Sequence, residues 1–362
     1  MPALQLQARH VLKVDSRYTV GRKFNYDVLA SNTVFPPDPT QFRSDLVWVE
    51  DVSATMRRQP GIAGPDGLYP TVQYRTKGQL QWDIALQCWR IINSDLEIAD
   101  TDPVLQPRQK NLKNALFKGR IEREISAWTV LKNPAILTQN ITLAAGTRFD
   151  DISSSSSDPI AVMQYGAELI QRETGLVVTD ILSPQPITRK LKQHEKIMSY
   201  AVNKLNLSKD REIDGEIIER LVGYDLVRPG AFKPYRMAFN NTPDGPSPTD
   251  SRNLVYPTGP MVVMVARAVP GGTDGDDYGF GLGKCLSILE QTFPDDPTVQ
   301  IATGNEGFGV FELPNYDVVG GGTTTQLVSA WGPFVQNPLA AFAIYGAANP
   351  LDTASYGTSL QF

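Results

Sequence analysis

The sequence predicts an α+β protein in which one long helix separates an extended N-terminal third from a compact body. Three observations predict it. Residues Pro107–Leu131 carry a helical apolar stripe, residues 82–88 alternate with a period of two, and the chain beyond residue 260 breaks into short apolar runs separated by Gly, Pro and Asp.

The helix organises the rest. Phe117, Ile121, Ile125, Trp128 and Leu131 recur three or four residues apart and so line one side of a helix. Pro107 is tolerated in the first turn, where its missing N–H would have no partner. Asn133 precedes Pro134, a pairing that leaves helical geometry. Some 25 residues between these stops span roughly 37 Å, about twice the mean globular helix. With one stripe and no sustained heptads, the helix reads as a strut on the flank of a sheet.

Ahead of it, residues 1–45 carry no sustained period and include Pro36, Pro37 and Pro39. Read alone they are disordered or extended; their functional reading is an arm that orders on a neighbouring subunit. Residues 46–92 read as a long β-ribbon. Trp82, Ile84, Leu86 and Cys88 alternate with Asp83, Ala85 and Gln87, giving one apolar face. Residues 68–77 supply a partner strand, with Gly78 near the turn. A lone two-stranded ribbon is marginal in water, and a bare apolar face invites aggregation. The ribbon therefore packs either on its own domain or over another copy.

After the helix, residues 141–145 form a strand. The tract from Asp150 to Asp158 holds five consecutive serines and reads as a flexible linker or loop. Asp158 caps the next helix with Pro159 at its first position; Ile160, Met163, Ala167 and Ile170 are its buried stripe and Gly175 its stop. Residues 177–182 form a short buried strand. Residues 188–201 read as one helix with Leu191, His194 and Ile197 roughly on one side. Asp214 caps a helix over 216–222, closed by Gly223. Strands follow at 261–268, 308–312, 317–319 and 326–331, with long loops at 240–260 and 270–283 and a small, polar tail at 346–362. No internal repeat is present.

Composition bounds the function. The 362 residues, 41% hydrophobic, suffice for two ordinary domains with a real core. The longest apolar run, residues 261–266, is too short to span a bilayer, and the first 17 residues lack the apolar stretch of a signal peptide, so cytoplasmic synthesis is expected. The net charge of −5 hides an asymmetry: from residue 238 onward there are 12 acidic and 3 basic residues, against 27 acidic and 31 basic before it. Within residues 103–121 stand Arg108, Lys110, Lys113, Lys118 and Arg120, without an acid. Such a run is either a solvated face or a positive surface that meets phosphates without reading sequence.

Catalytic equipment is sparse. His10 and His194 are the only histidines, which excludes multi-histidine metal sites and disfavours a Ser–His or Cys–His nucleophile. His194 reads as a packed or capping residue. Cys88 and Cys285 read as two reduced, partly buried thiols. The run Gly279-Phe-Gly-Leu-Gly-Lys-Cys285 is no phosphate loop, since Tyr278 stands at the required first glycine and Cys285 at the metal-binding hydroxyl; it reads as a glycine-rich turn between strands. Asp274, Asp276 and Asp277 lack the remaining ligands of a calcium loop. No catalytic site, cofactor or metal is expected, and the chain reads as a non-enzyme.

The order of these elements resembles the major capsid proteins of tailed bacteriophages, which share the Hong Kong 97-type fold. The local text agrees. Arg120-Ile-Glu-Arg-Glu-Ile-Ser-Ala-Trp128 looks like the end of that family's spine helix. Ser157-Asp-Pro-Ile160, Glu173-Thr-Gly175 and Ile187-Thr-Arg-Lys-Leu-Lys-Gln-His-Glu-Lys-Ile197 are similar to the first helices after the spine. The resemblance implies an N-terminal arm at 1–45, an E-loop at 46–90, and a peripheral domain formed by 91–149 with strands from 293–345. It also implies an axial domain at 150–292 and a C-terminal tail at 346–362. It implies a structural protein that self-assembles as pentamers and hexamers into an icosahedral virion head around double-stranded DNA, built in the bacterial host cytoplasm. Scaffold, decoration and portal proteins are further implied partners, and no membrane is. Trp82, Ile84 and Leu86 of the E-loop would contact the adjacent subunit, burying on the order of 1,200–2,000 Å² per stable interface. Arg108, Lys110, Lys113, Lys118 and Arg120 would face the DNA. The alternative is an encapsulin-type nanocompartment shell subunit. Lys77 is available for a ribbon cross-link, but no motif matches its partner.

Overall fold

A computed structural model describes residues 30–40, 44–50, 76–84, 86–94, 107–208, 212–236, 239–240, 254–267, 281–288, 290–293, 296–302, 308–314 and 322–349. In chain order, helical turn α1 (Ala30–Thr33) leads to β1 (Pro37–Thr40), β2 (Ser44–Glu50), β3 (Thr76–Asp83), β4 (Leu86–Ser94) and the long helix α2 (Pro107–Leu131). Next come β5 (Asn140–Thr142), α3 (Pro159–Thr174), β6 (Asp180–Pro184), α4 (Gln185–Gln193), α5 (Glu195–Leu205) and α6 (Gly215–Val222). The remainder is β7 (Phe232–Tyr235), β8 (Phe239–Asn240), β9 (Leu254–Val255), β10 (Met261–Val265), β11 (Gly283–Ile288), β12 (Glu290–Phe293), β13 (Asp296–Ala302), β14 (Phe308–Pro314), β15 (Gly322–Val335) and β16 (Ala341–Tyr345).

Two five-stranded sheets hold the described residues together. The first has the order β5-β16-β10-β6-β7. Its central strands, Met-Val-Val-Met-Val in β10 and Ala-Phe-Ala-Ile in β16, are buried on both faces, which is why they read as unbroken apolar runs rather than alternations. Helices α3, α4 and α6 pack on it. Gly166 lets α3 come close, because a Cβ there would lie 2.4 Å from the Phe342 ring. The second sheet is built on β15, which pairs with β4 and β14 along its first part and with β11 along its last five residues. β1 adds parallel to β11, and α2 packs across β15 and β4.

Several expectations hold. Asp158 Oδ1 accepts the Ala161 N–H at 3.0 Å, Pro159 opens α3, and Gly175 ends it at φ 74. Ile160, Met163, Ala167 and Ile170 are all buried. Asp214 caps α6 through the Ile217 N–H, with Gly223 at φ 120.

Others are corrected. The expected single helix over 188–201 is two, because His194 takes an extended conformation (φ −72, ψ 123) and Pro186, set in the first turn, starts α4 earlier. The serine tract is a loop but not a slack one: Ser154 Oγ donates to the Gly146 carbonyl and Ser157 Oγ to the Arg148 carbonyl, each at 2.7 Å. Part of the expected arm packs on its own chain, with Ala30, Val34 and Phe35 fully buried. Gly283, Lys284 and Cys285 lie in β11 rather than in a turn; a Cβ at Gly283 would meet the Phe334 carbonyl oxygen at 2.0 Å. The strand expected at 317–319, and Asp274, Asp276 and Asp277, lie outside the described residues.

The helix α2 buries a different arc from the expected stripe. Trp128 and Leu131 are fully buried, but Phe117, Ile121 and Ile125 are only half-buried, and Leu116, Arg123, Glu124 and Ala127 take the inner positions. Two charged residues on the inner arc disguised it in the sequence. Their burial is supported by partners: Arg123 stacks over the Trp331 ring at 5.0 Å, and Glu124 accepts three N–H groups.

Candidate functional site

The ribbon is a hairpin of β2 and β3, with Ser44 opposite Asp83, Trp82 opposite Asp45 and a register shift at Val49/Glu50. Gly78 is thus a strand residue opposite Val49. Among the described residues the partner strand of β3 is 44–50, Lys77 stands in β3 itself, and the remainder of the expected partner, 68–75, lies outside the described residues. Among the described residues, β2 and β3 pair only with each other. The expected single run from Trp82 to Cys88 is interrupted: β3 ends at Asp83, and Leu86 opens β4, where it faces Ala330 of β15. Between them Ile84 is 1% exposed, buried within its own chain. Ile84 therefore cannot be a contact offered to another copy. It stands where the chain passes from β3 to β4, and the period-two pattern of the sequence runs on through this joint.

All five basic candidates lie on α2. Lys118 is exposed and Arg120 half-buried. At 3.6 residues per turn, Lys110 and Lys113 sit within one arc while Arg108 lies about half a turn from them, so the five do not form a single stripe.

Where α2 meets the N-terminal segment, Glu124 forms a junction that the sequence reading missed. Its carboxylate is fully buried and accepts the main-chain N–H groups of Ala30 at 2.8 Å and Ser31 at 3.0 Å, together with Trp128 Nε1–H at 2.8 Å. The start of α1 is thereby held on the long helix, and its free N–H groups are satisfied by a distant side chain. Trp128 packs edge-on against Tyr235 of β7 at 5.3 Å, so the junction ties segment, helix and first sheet together. Burial raises the Glu124 carboxyl above its usual range, against the opposing effect of the donated hydrogen bonds. The only sequence signal was the four-residue spacing of Glu124 and Trp128. A second buried carboxylate, Asp180, pairs with Lys233 Nζ at 2.6 Å and Arg267 Nε at 3.3 Å, linking β6, β7 and the end of β10.

One pair has the outline of catalytic chemistry. His194 Nε2 lies 3.0 Å from Ser157 Oγ, both residues fully buried. Its polarity is wrong for a nucleophile. His194 Nδ1 accepts the Lys196 N–H at 3.3 Å, so the ring proton sits on Nε2, and the serine proton goes to the Arg148 carbonyl. A general base needs a free Nε2 lone pair toward the serine. His194 instead caps α5, as expected of a packed or capping residue. Cys285 is a buried free thiol whose pKa burial pushes up, away from a reactive thiolate. Among the described residues no His/Cys/Asp/Glu group is arranged to hold a metal, and no helix is long and apolar enough to cross a membrane.

No protein-family model matches the chain, and no curated protein matches it. Among solved structures, a phage-related protein from Bordetella bronchiseptica superposes with a TM-score of 0.63 at 14% identity, covering 94% of this chain and 99% of that one. The capsid of cyanophage P-SCSP1u follows at 0.48 and 9% identity, covering 86% of each chain. The mature capsid of bacteriophage PhiM1 gives 0.46 and 11%, covering 90% of this chain and 89% of that one. The chain shares the mixed helix-and-strand fold of the phage-related protein along almost the whole length of both.

Proposed function

We propose that the chain is the structural major capsid subunit of a tailed-bacteriophage head, a Hong Kong 97-type shell protein that works by burial against its own copies rather than by turnover. The observation that carries this reading is the β2–β3 hairpin. A two-stranded ribbon paired with nothing else in its own described chain is marginal by itself, and a neighbouring subunit is the cover that a closed shell supplies. The fold shared with a phage-related protein supports it.

On this reading residues 1–45 form the arm and 46–90 the E-loop. The sheet carrying α2 is the peripheral unit and the sheet carrying α3, α4 and α6 the axial one. The axial unit would meet its copies in pentamers and hexamers. Strand β16 joins the axial sheet and β11 the peripheral one, so each unit draws strands from both the 150–292 and the 293–345 segments. The basic residues Arg108, Lys110, Lys113, Lys118 and Arg120 would lie toward packaged double-stranded DNA, bound without sequence preference. Scaffold, decoration and portal proteins would be its other partners, with assembly in the host cytoplasm.

Expression of the chain, followed by sizing and negative-stain microscopy, tests this. Closed shells or capsomer rings are expected, and a monodisperse monomer would refute it. Nucleic acid retained in particles and released as salt rises favours a phage head; particles that retain a protein cargo instead favour the encapsulin-type compartment.

A further inference from the structure

His194 is the one histidine among the described residues, and it stands where α4, α5 and the 146–157 loop meet. Its two ring nitrogens have opposite duties. Nδ1 accepts the Lys196 main-chain N–H, and Nε2 faces Ser157 Oγ, whose own proton goes to the Arg148 carbonyl. Together they fix the neutral ring's proton on Nε2; of the two, the Nδ1 contact is the one that needs the ring neutral, since Nε2–H remains a donor in the charged ring. A second proton must attach to Nδ1, which points at an N–H donor. It would turn the cap of α5 into a repulsion and place a charge in a fully buried ring.

We propose that His194 is an acid-sensitive latch at the junction of α4, α5 and the 146–157 loop, closed when neutral and weakened on protonation by the loss of its cap on the Lys196 N–H and by the charge placed in the buried ring. The loop is otherwise well tied. Gly146 N–H donates to Asp151 Oδ2 at 2.7 Å, and Glu195 N–H donates to the Ile152 carbonyl at 3.1 Å across the latch. Asn349 N–H reaches Asp150 Oδ2 at 2.8 Å, so opening the loop would also loosen the segment after β16.

The charged groups facing the ring are Asp158 at the start of α3, Asp151 in the loop, and Glu195 and Lys196 on α5. Asp158 offers the protonated ring no ready partner. Its Oδ1 is taken by the Ala161 N–H, and its Oδ2 by the Tyr200 hydroxyl at 2.7 Å and Lys196 Nζ at 3.5 Å. Burial depresses the His194 pKa, with the Asp158 charge opposing. A depressed folded-state value means that the latch is fully closed above the free-imidazole value of about 6.5 and weakens as pH falls below it.

Amide hydrogen exchange of the full chain, expressed as protection factors at about pH 7.5 and about pH 5.5, tests this against a His194→Asn variant, since asparagine caps helices without titrating. Protection at Glu195 and Lys196 should fall in the wild type by about tenfold per pH unit below the free-imidazole range, and stay level in the variant. Equal pH responses in the two proteins would overturn the proposal. Should the variant fail to fold, ring nitrogen shifts of the wild type decide: an Nε2–H tautomer titrating below the usual imidazole range supports the latch, and titration at or above that range overturns it.

Discussion

Replacing Glu124 by alanine would strand the N–H groups of Ala30, Ser31 and Trp128 in a buried site. With each unsatisfied buried donor costing about 1–3 kcal/mol, a loss of roughly 3 kcal/mol or more is expected, read as a lower urea midpoint with an unchanged slope. A loss under about 1 kcal/mol would mean that water reaches the junction and the segment is not held there. At this scale the sequence was legible where one residue type has one local duty. Asp158, Gly175, Asp214 and Gly223 are caps, and each stands at the helix end its chemistry demands. It was not legible where a charged residue is buried by partners distant in sequence. Glu124 meets residues 93 and 94 positions away, and no local pattern carries that spacing. Ile84 failed for the converse reason: an apolar residue in an alternating run looks the same whether its cover comes from its own chain or from another.

Among the elements, glycine positions separate rigid from yielding neighbours. A Cβ at Gly283 would strike the Phe334 carbonyl in the β11–β15 ladder, whereas one at Gly166 would strike the Phe342 side chain rather than backbone. Gly283→Ala is therefore expected to lower the melting temperature more than Gly166→Ala, whose overpacking costs about 1–3 kcal/mol. The reverse order would place the ladder strain elsewhere. The hairpin makes a second prediction. Trp82→Asp, opposite Asp45, should leave a folded subunit by circular dichroism that no longer forms particles; ordinary particles would remove Trp82 from any intersubunit surface. Long, strongly patterned elements were readable, and α2 is found at Pro107–Leu131 as expected. The break between α4 and α5 was not, because Leu191, His194 and Ile197 stay buried on both sides of it and histidine is not a usual N-cap. The joint between β3 and β4 was hidden in the same way, by a pattern that continues across it.

For the whole molecule, the charge asymmetry is the property that composition alone conveys. Its first 237 residues carry the basic excess and the remainder the acidic one. Replacing Arg108, Lys110 and Lys113 together with glutamate should spare empty shells and reduce the DNA they retain, with a shallower dependence of retention on salt. Normal DNA content would sink the inward placement of α2. The fold class and the order of elements were readable from sequence. The exchange of β11 and β16 between the two sheets was not, because pairings such as Cys285 with Pro333 and Val263 with Ala343 join residues far apart in sequence and leave no local trace. The claim on which the function rests is that the β2–β3 hairpin is completed by another copy. Hydrogen exchange over residues 44–50 and 76–83, compared between assembled particles and dissociated subunits, tests it most directly. Strong protection in particles and fast exchange in free subunits is the expected result, and equal protection in both would contradict it.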